Sequence, residues 1–248
     1  LVPAGAAPYP YRVCLPGNDG RGLDVALMSR RVIDAVESHA AVTPASLSLE
    51  PVAEVGPHER IFRRDCLEAR VGALTLYVVH LKAPYPDREV AWRVRRLEAR
   101  AVRRLAERRF ADPASALWLI LGDFNEPVNS GAHRDGPAIA PLLGDFSVDL
   151  LLRLPAAERW SYHQPPAHPF GRPDGFLASP ELARRWPGAI PRILRLGLGT
   201  GEGGSAPAGP FGAIVAADTR VGAISTAASG GGLASQEASR FIRRRSPC

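Results

Sequence analysis

At 248 residues the chain is long enough for one large domain or two small ones with a substantial core. Its 46% hydrophobic and 23% charged content is that of an ordinary globular protein and excludes a disordered or fibrous chain. The net charge of +6 raises the question of nucleic acid, but residues 93–109 hold eight arginines and two glutamates, an excess of six that accounts for the whole of it. No apolar stretch approaches the roughly 18 residues of a membrane span. The opening Leu1-Val-Pro-Ala-Gly-Ala-Ala-Pro is too short for a secretory signal and has no basic segment before it. Three cysteines, Cys14, Cys66 and Cys248, lack metal-ligand spacing and predict reduced thiols in a cytoplasmic setting.

In chain order, strands are expected at 11–15 and 23–29, joined by the turn-rich Pro16-Gly-Asn-Asp-Gly-Arg-Gly22. Asp24 falls inside the second of these, as a scaffold residue. Residues 61–70 and 73–80 read as an antiparallel pair, with Leu74, Leu76, Val78 and His80 on one face, so that His80 ends an apolar row. A helix over 87–110 follows. Its Val94, Leu97, Ala101 and Leu105 share one face, and Arg95, Arg96, Arg100 and Arg103 lie opposite as a solvated face. Next come a strand at 116–121, a loop at 126–135, a short helix near 137–143, and strands at 146–151, 159–163, 175–178, 192–196 and 211–217. Many strands with few helices predict a layered α/β sandwich with mostly antiparallel pairing. Residues 1–218 form the expected domain. Residues 219–248, rich in Ala, Ser and Gly and ending in Arg243-Arg244-Arg245, read as a flexible basic tail.

The most informative segment is Gly122-Asp123-Phe124-Asn125, at the end of the apolar run Ala116-Leu-Trp-Leu-Ile-Leu121. If the extended geometry persists past Gly122, Asp123 and Asn125 project to the same side where a buried strand leaves the core. An acceptor that can activate water beside a donor that can hold an oxyanion suits hydrolysis of a charged ester.

Five segments in order resemble the endonuclease/exonuclease/phosphatase superfamily, the fold of pancreatic-type DNases and apurinic endonucleases. They are Gly17-Asn-Asp-Gly-Arg-Gly-Leu-Asp-Val-Ala-Leu-Met-Ser-Arg30, Val79-His-Leu-Lys82, Gly122-Asp-Phe-Asn125, Trp160-Ser-Tyr162 and Pro173-Asp-Gly-Phe-Leu-Ala-Ser-Pro180. The resemblance implies a DNase-like four-layer α/β/β/α sandwich of two mostly antiparallel sheets. It also implies hydrolysis of phosphoric esters with a divalent cation, Mg²⁺ or alternatively Mn²⁺ or Ca²⁺. By the same resemblance Asp123 orients or deprotonates the attacking water and is a possible metal ligand, and Asn125 holds the phosphate and neighbouring groups. His80 stands near the scissile phosphate, Asp174 orients the last catalytic histidine, and Arg21 approaches a phosphate. The expected partner is a phosphate-ester substrate, either nucleic acid or a small phosphodiester.

Two departures temper these expectations. The family's opening strand, with an Asn and a later Glu that is its main metal ligand, has no counterpart in the sixteen residues before the first matching segment; the first glutamate is Glu37. A missing opening strand would leave a sheet edge open to association. The family's closing Ser-Asp-His is replaced by Gly209-Pro210-Phe211, and no histidine follows His168. The chain therefore reads as an impaired hydrolase, or alternatively as a non-catalytic phosphate-binding module or a degenerate gene fragment.

Overall fold

The computed structural model describes residues 9–126, 133–164, 168–194 and 214–216. It divides into two units, Leu1–Ala217 and Asp218–Cys248; the second, and with it the expected tail, lies wholly outside the described residues.

Strands β1 (Tyr11–Leu15) and β2 (Val25–Ser29) form an antiparallel hairpin. The Asp24 carboxylate accepts the Gly17 N–H at 2.7 Å and closes the connecting loop, so Asp24 is a turn residue ahead of β2 and not a strand residue. The larger sheet has six strands, β3 (Ala35–Ser38), β4 (Cys66–Val71), β5 (Leu74–His80), β6 (Trp118–Asp123), β7 (Val148–Asp149) and β10 (Asp174–Ala178). Their order is β3-β4-β5-β6-β10-β7. Every neighbouring pair is antiparallel except β5 and β6. That parallel pair requires a crossover, and the long helix α2 (Arg88–Arg109) supplies it. Short helices α1 (Pro44–Leu47) and α3 (Pro180–Arg185) and the two-stranded pairs β8 (Tyr162–Gln164) with β9 (His168–Gly171), and β11 (Arg192–Leu194) with β12 (Ile214–Ala216), complete the elements.

Helix α2 begins where Asp87 caps it, the carboxylate accepting the Glu89 and Val90 N–H groups. Its Val94, Leu97, Ala101 and Leu105 pack on Tyr77, Val79, Trp118 and Ile120 of the six-stranded sheet. Fully burying a large apolar side chain contributes about 1.5–3 kcal/mol. On the other face of the sheet, Leu67, Val78 and Leu121 meet Val13, Leu15, Val25 and Leu27 of the hairpin. The described residues thus place a helix, a six-stranded sheet and a two-stranded sheet in succession; the outer helical layer of the expected sandwich is not among them.

Several expectations change. Residues 61–65 are irregular, because Ile61 N–H bonds the Val42 carbonyl and the Arg64 carbonyl accepts the Asn18 N–H, leaving no strand ladder. The strand expected at 146–151 is only two residues long, followed by a 3₁₀ turn. The short helix expected near 137–143 is a single 3₁₀ turn at Ala140–Leu142. Arg95 is not solvated: it is 2% exposed, donates to the Lys82 carbonyl at 2.7 Å and pairs with Glu126 at 3.4 Å. The buried stripe of α2 is wider than its apolar pattern, because Ala91, Glu98, Ala99 and Val102 are buried as well. Of the thiols expected to be reduced, Cys66 is free and buried, and Cys248 lies outside the described residues.

Candidate active site at the ends of three strands

Strands β5, β6 and β10 are neighbours, and their ends carry His80, Asp123 and Asp174 in matched register. His80 lies beside Asp123, and Asp123 faces Asp174. Two residues inward, Val78, Leu121 and Phe176 belong to the core between the two sheets, so the alternation of a strand puts all three polar groups on that same face. His80 Nε2 stands 3.6 Å from Asp123 Oδ2.

Two glycines permit this convergence. Gly122 has φ +132°, and a Cβ there would fall far inside van der Waals contact with the Val79 carbonyl oxygen. A Cβ on Gly175, its cross-strand partner, would overlap the Phe124 ring. Backbone bonds extend the junction beyond the strands: Leu81 N–H to the Asp123 carbonyl at 2.9 Å, and Phe124 N–H to the Pro173 carbonyl at 2.9 Å.

Asp123 and Asn125 come together differently from the expected alternation. The strand stops at Asp123 and Asn125 takes φ +49°. The Asp123 carboxylate then accepts the Asn125 N–H at 2.8 Å, and the Asn125 side-chain amide donates to the Leu81 carbonyl at 2.9 Å. This is an Asx turn. It ties the end of β6 to the segment after His80.

Arg64 is a member that the sequence did not reveal. It is 4% exposed, donates to the Leu81 carbonyl at 3.2 Å, and brings Nε to 3.2 Å from Asp19 Oδ2, close enough for an ion pair but not in hydrogen-bond alignment. Asp19 also receives a two-pronged contact from Arg21, at 3.0 and 2.8 Å. Chiefly that contact, opposed by burial and assisted by the Arg64 charge, holds the Asp19 carboxyl well below the usual carboxylate range. Arg21 is therefore engaged with Asp19, its side chain 69% exposed. The charges of Arg64, Asp19 and Arg21 all act on His80. Burial first, and the Arg64 cation second, depress the imidazole pKa against the opposing pull of Asp123.

Asp174 is in a contrasting state. Among the described residues its Oδ2 is buried without a hydrogen-bond partner, as is the hydroxyl of Ser161. Burial pushes the carboxyl up to about 7; the nearby Ser161 hydroxyl opposes this and the Asp123 charge adds to it. The Ser161 hydroxyl lies near the carboxyl but does not meet hydrogen-bond geometry with it. Positions 210 and 211, where the family motif departs, lie outside the described residues.

Behind the row, the fully buried Glu98 of α2 accepts the Lys82 N–H at 2.6 Å and the Arg63 N–H at 2.9 Å. Burial pushes its carboxyl up to about 7 against those two bonds. Glu98 thus pins the residues that follow His80-Leu81 and precede Arg64. A charged doublet, Arg63-Arg64, inside a stretch otherwise read as strand was the only sequence signal for this layer.

The family model of the Endonuclease/Exonuclease/phosphatase family matches residues 1–196. The chain belongs to that family. No curated protein matches it. Among solved structures it is similar to the 3'-5' exonuclease NExo from Neisseria meningitidis, with 18% identity over 73% of this chain and 72% of that one and a TM-score of 0.47. It is also similar to an AP endonuclease from Archaeoglobus fulgidus, with 15% identity over 75% and 72% and a TM-score of 0.49. A family protein from Leptotrichia buccalis gives 14% identity over 75% and 63% and a TM-score of 0.48. No helix among the described residues is long and apolar enough to cross a membrane.

The divalent cation implied by the family finds few donors at this row. The Asp123 oxygens already face the Asn125 N–H and His80, burial holds Asp174 against ionisation, and Asp19 is held between two arginines. Among the described residues no set of three ligating side chains converges here. Hard cations want several oxygen ligands, and this donor set does not fit a resident ion.

Proposed function

We propose that the chain is a phosphoric ester hydrolase domain of the nuclease/phosphatase type, with its phosphate-facing surface at the His80–Asp123–Asp174 row. The observation that carries this reading is the register itself: three functional groups from distant parts of the sequence stand on one face of three adjacent strand ends. In this reading a phosphate oxygen lies against Arg64 and the Asn125 amide. Asp123 orients the attacking water, and His80, neutral through burial and the neighbouring guanidinium, takes or returns a proton at Nε2. The family's divalent cation would polarise the phosphoryl group, but the donor set gives no residue-level support for holding it in this chain. Hydrolysis by the 248 residues is accordingly weak, since loss of one acid/base partner alone typically costs about 10² to 10⁴ in rate.

A second reading, phosphate binding without turnover, is favoured by the partnerless Asp174 oxygen. The substrate is a nucleic acid or a small phosphodiester, and the fold does not choose between them. The assay is hydrolysis of bis-p-nitrophenyl phosphate with and without EDTA. The hydrolase reading expects slow turnover that Asp123→Asn and His80→Ala abolish. Turnover indifferent to both substitutions overturns the assignment of the row. Absence of turnover, with phosphate binding weakened by Arg64→Gln, selects the binding reading.

A further inference from the structure

We propose that Glu37, His39 and Glu68 form a second site, for a borderline divalent cation of the zinc class, on the opposite face of the six-stranded sheet from the catalytic row. One imidazole nitrogen and one oxygen from each carboxylate lie within 4.8 Å of one another. Glu37 and Glu68 are direct cross-strand partners on β3 and β4. Like charges placed directly opposite destabilise a sheet unless something neutralises them. His39 Nε2 is already 3.0 Å from Glu68 Oε2. Arg109 occupies the other oxygen, at 3.2 Å from Oε1, and His39 Nδ1 lies 3.9 Å from Glu37 Oε1, so with a neutral imidazole one guanidinium offsets two formal carboxylate charges and one negative charge remains for a cation. His39 and Glu68 are buried, which strengthens the demand for a compensating cation.

An independent observation points into the same place. Tyr77, the β5 partner of Glu68, is fully buried, and its hydroxyl has no hydrogen-bond partner among the described residues. Cross-strand register puts Tyr77, Glu68 and Glu37 in one row on the same face, with the neutral phenol next to Glu68. Such a donor suits a carboxylate that holds an ion, or a water on the ion. Tyr77 packs on the α2 side of the sheet, whereas His80 crowns the side facing the hairpin, which separates this site from the catalytic row.

An imidazole with carboxylates is a ligand set that zinc accepts, with bonds of about 2.0–2.2 Å and hence ligand atoms about 3.3 Å apart in a tetrahedron. The His39–Glu68 pair already has nearly that spacing. Glu37, whose side chain is 67% exposed, has the freedom to swing inward.

The test is isothermal titration of Zn²⁺, and separately Mg²⁺, into the EDTA-stripped full chain. X-ray absorption on the zinc-loaded protein identifies the ligand atoms. One Zn²⁺ per chain is expected, with one imidazole and oxygen ligands and without comparable Mg²⁺ binding. Glu37→Gln weakens Zn²⁺ by about tenfold or more while raising, and not lowering, the metal-free melting temperature, since it removes one of two like charges placed directly opposite. His39→Gln removes the imidazole signature, and Asp123→Asn leaves the titration as it was. Absence of Zn²⁺ binding, or binding unmoved by both Glu37→Gln and His39→Gln, overturns the proposal.

Discussion

Asp123 and Asp174 face each other across two strands, yet they stand in opposite conditions. Asp123 is served from nearby: the Asn125 N–H two residues on and His80 on the next strand. Asp174 has one oxygen buried with no partner among the described residues, and its carboxyl is pushed up to about 7. The difference teaches that a tetrapeptide can complete its own half of a site, through a turn and a glycine, whereas the other half depends on groups from distant sequence. A buried carboxylate without a bonding partner is among the costlier local states a protein adopts.

Removing the close approach at the Asp123 end has the largest expected effect. Gly122→Ala places a methyl group against the Val79 carbonyl at a left-handed φ. The expected loss is about 3 kcal/mol or more, from backbone strain and overpacking together. Urea unfolding measures it, and a loss below about 1 kcal/mol would mean that the strands do not meet this closely.

At the other end the next-largest effect has the reverse sign. Asp174→Asn removes a charge that the fold disfavours, so it stabilises the protein at alkaline pH. The folded pKa is raised above the unfolded value, to about 7 from 3.8. The protonated carboxyl is therefore tolerated below about pH 4, and stability falls as pH rises from there to about 7. A shift of that size corresponds to roughly 4 kcal/mol at full ionisation, as an upper bound. Denaturation midpoints at pH 5 and pH 8 should show the variant gaining more at pH 8. An equal gain at both values would assign the effect to packing.

The same division governs what could be read from sequence. The 87–110 helix, the strand ending at His80 and the strand that leads to Asp123, expected at 116–121 and found at Trp118–Asp123, were legible, because their apolar patterns and capping residues are local. Asp123 and Asn125 were legible as a pair for a partly wrong reason: the pair is made by an Asx turn and not by strand alternation. Arg64, Asp19 and Glu98 were not legible. Each looks like an ordinary surface charge in one dimension, and each acquires its meaning from a partner at least sixteen residues away, Leu81, Arg64 and Lys82 respectively. Strand β3 was missed because all four of its residues are exposed and carry no burial pattern.

A smaller effect sharpens the Asp123 side. Asn125→Ala leaves the Leu81 carbonyl without the amide that now bonds it, and costs about 1–2 kcal/mol. Asn125→Asp loses the same donor and adds a second carboxylate near Asp123, so it should be at least as destabilising at pH 8. If Asn125→Asp is instead neutral, the amide contributes nothing to the turn and its value lies wholly in contact with ligand.

The finest test concerns His80, which lies between the satisfied side of the row and the buried guanidinium. Burial and Arg64 both disfavour the imidazolium, and Asp123 opposes them without prevailing, so His80 titrates below the ordinary imidazole value. A histidine with a depressed folded pKa contributes stability that is fully present above its unfolded pKa. That stability is lost as pH falls from there through the folded value. Arg64→Gln removes the cation and largely keeps the burial, so it should move the His80 pKa upward, by less than the complete return expected if charge were the only cause. Proton NMR of the His80 ring across acid to neutral pH reads this directly, and Asp123→Asn should move the same resonance downward. Opposite displacements from these two substitutions would establish that His80 is poised between them. A titration unmoved by Arg64→Gln would leave burial as the whole cause and remove Arg64 from the electrostatics of the row.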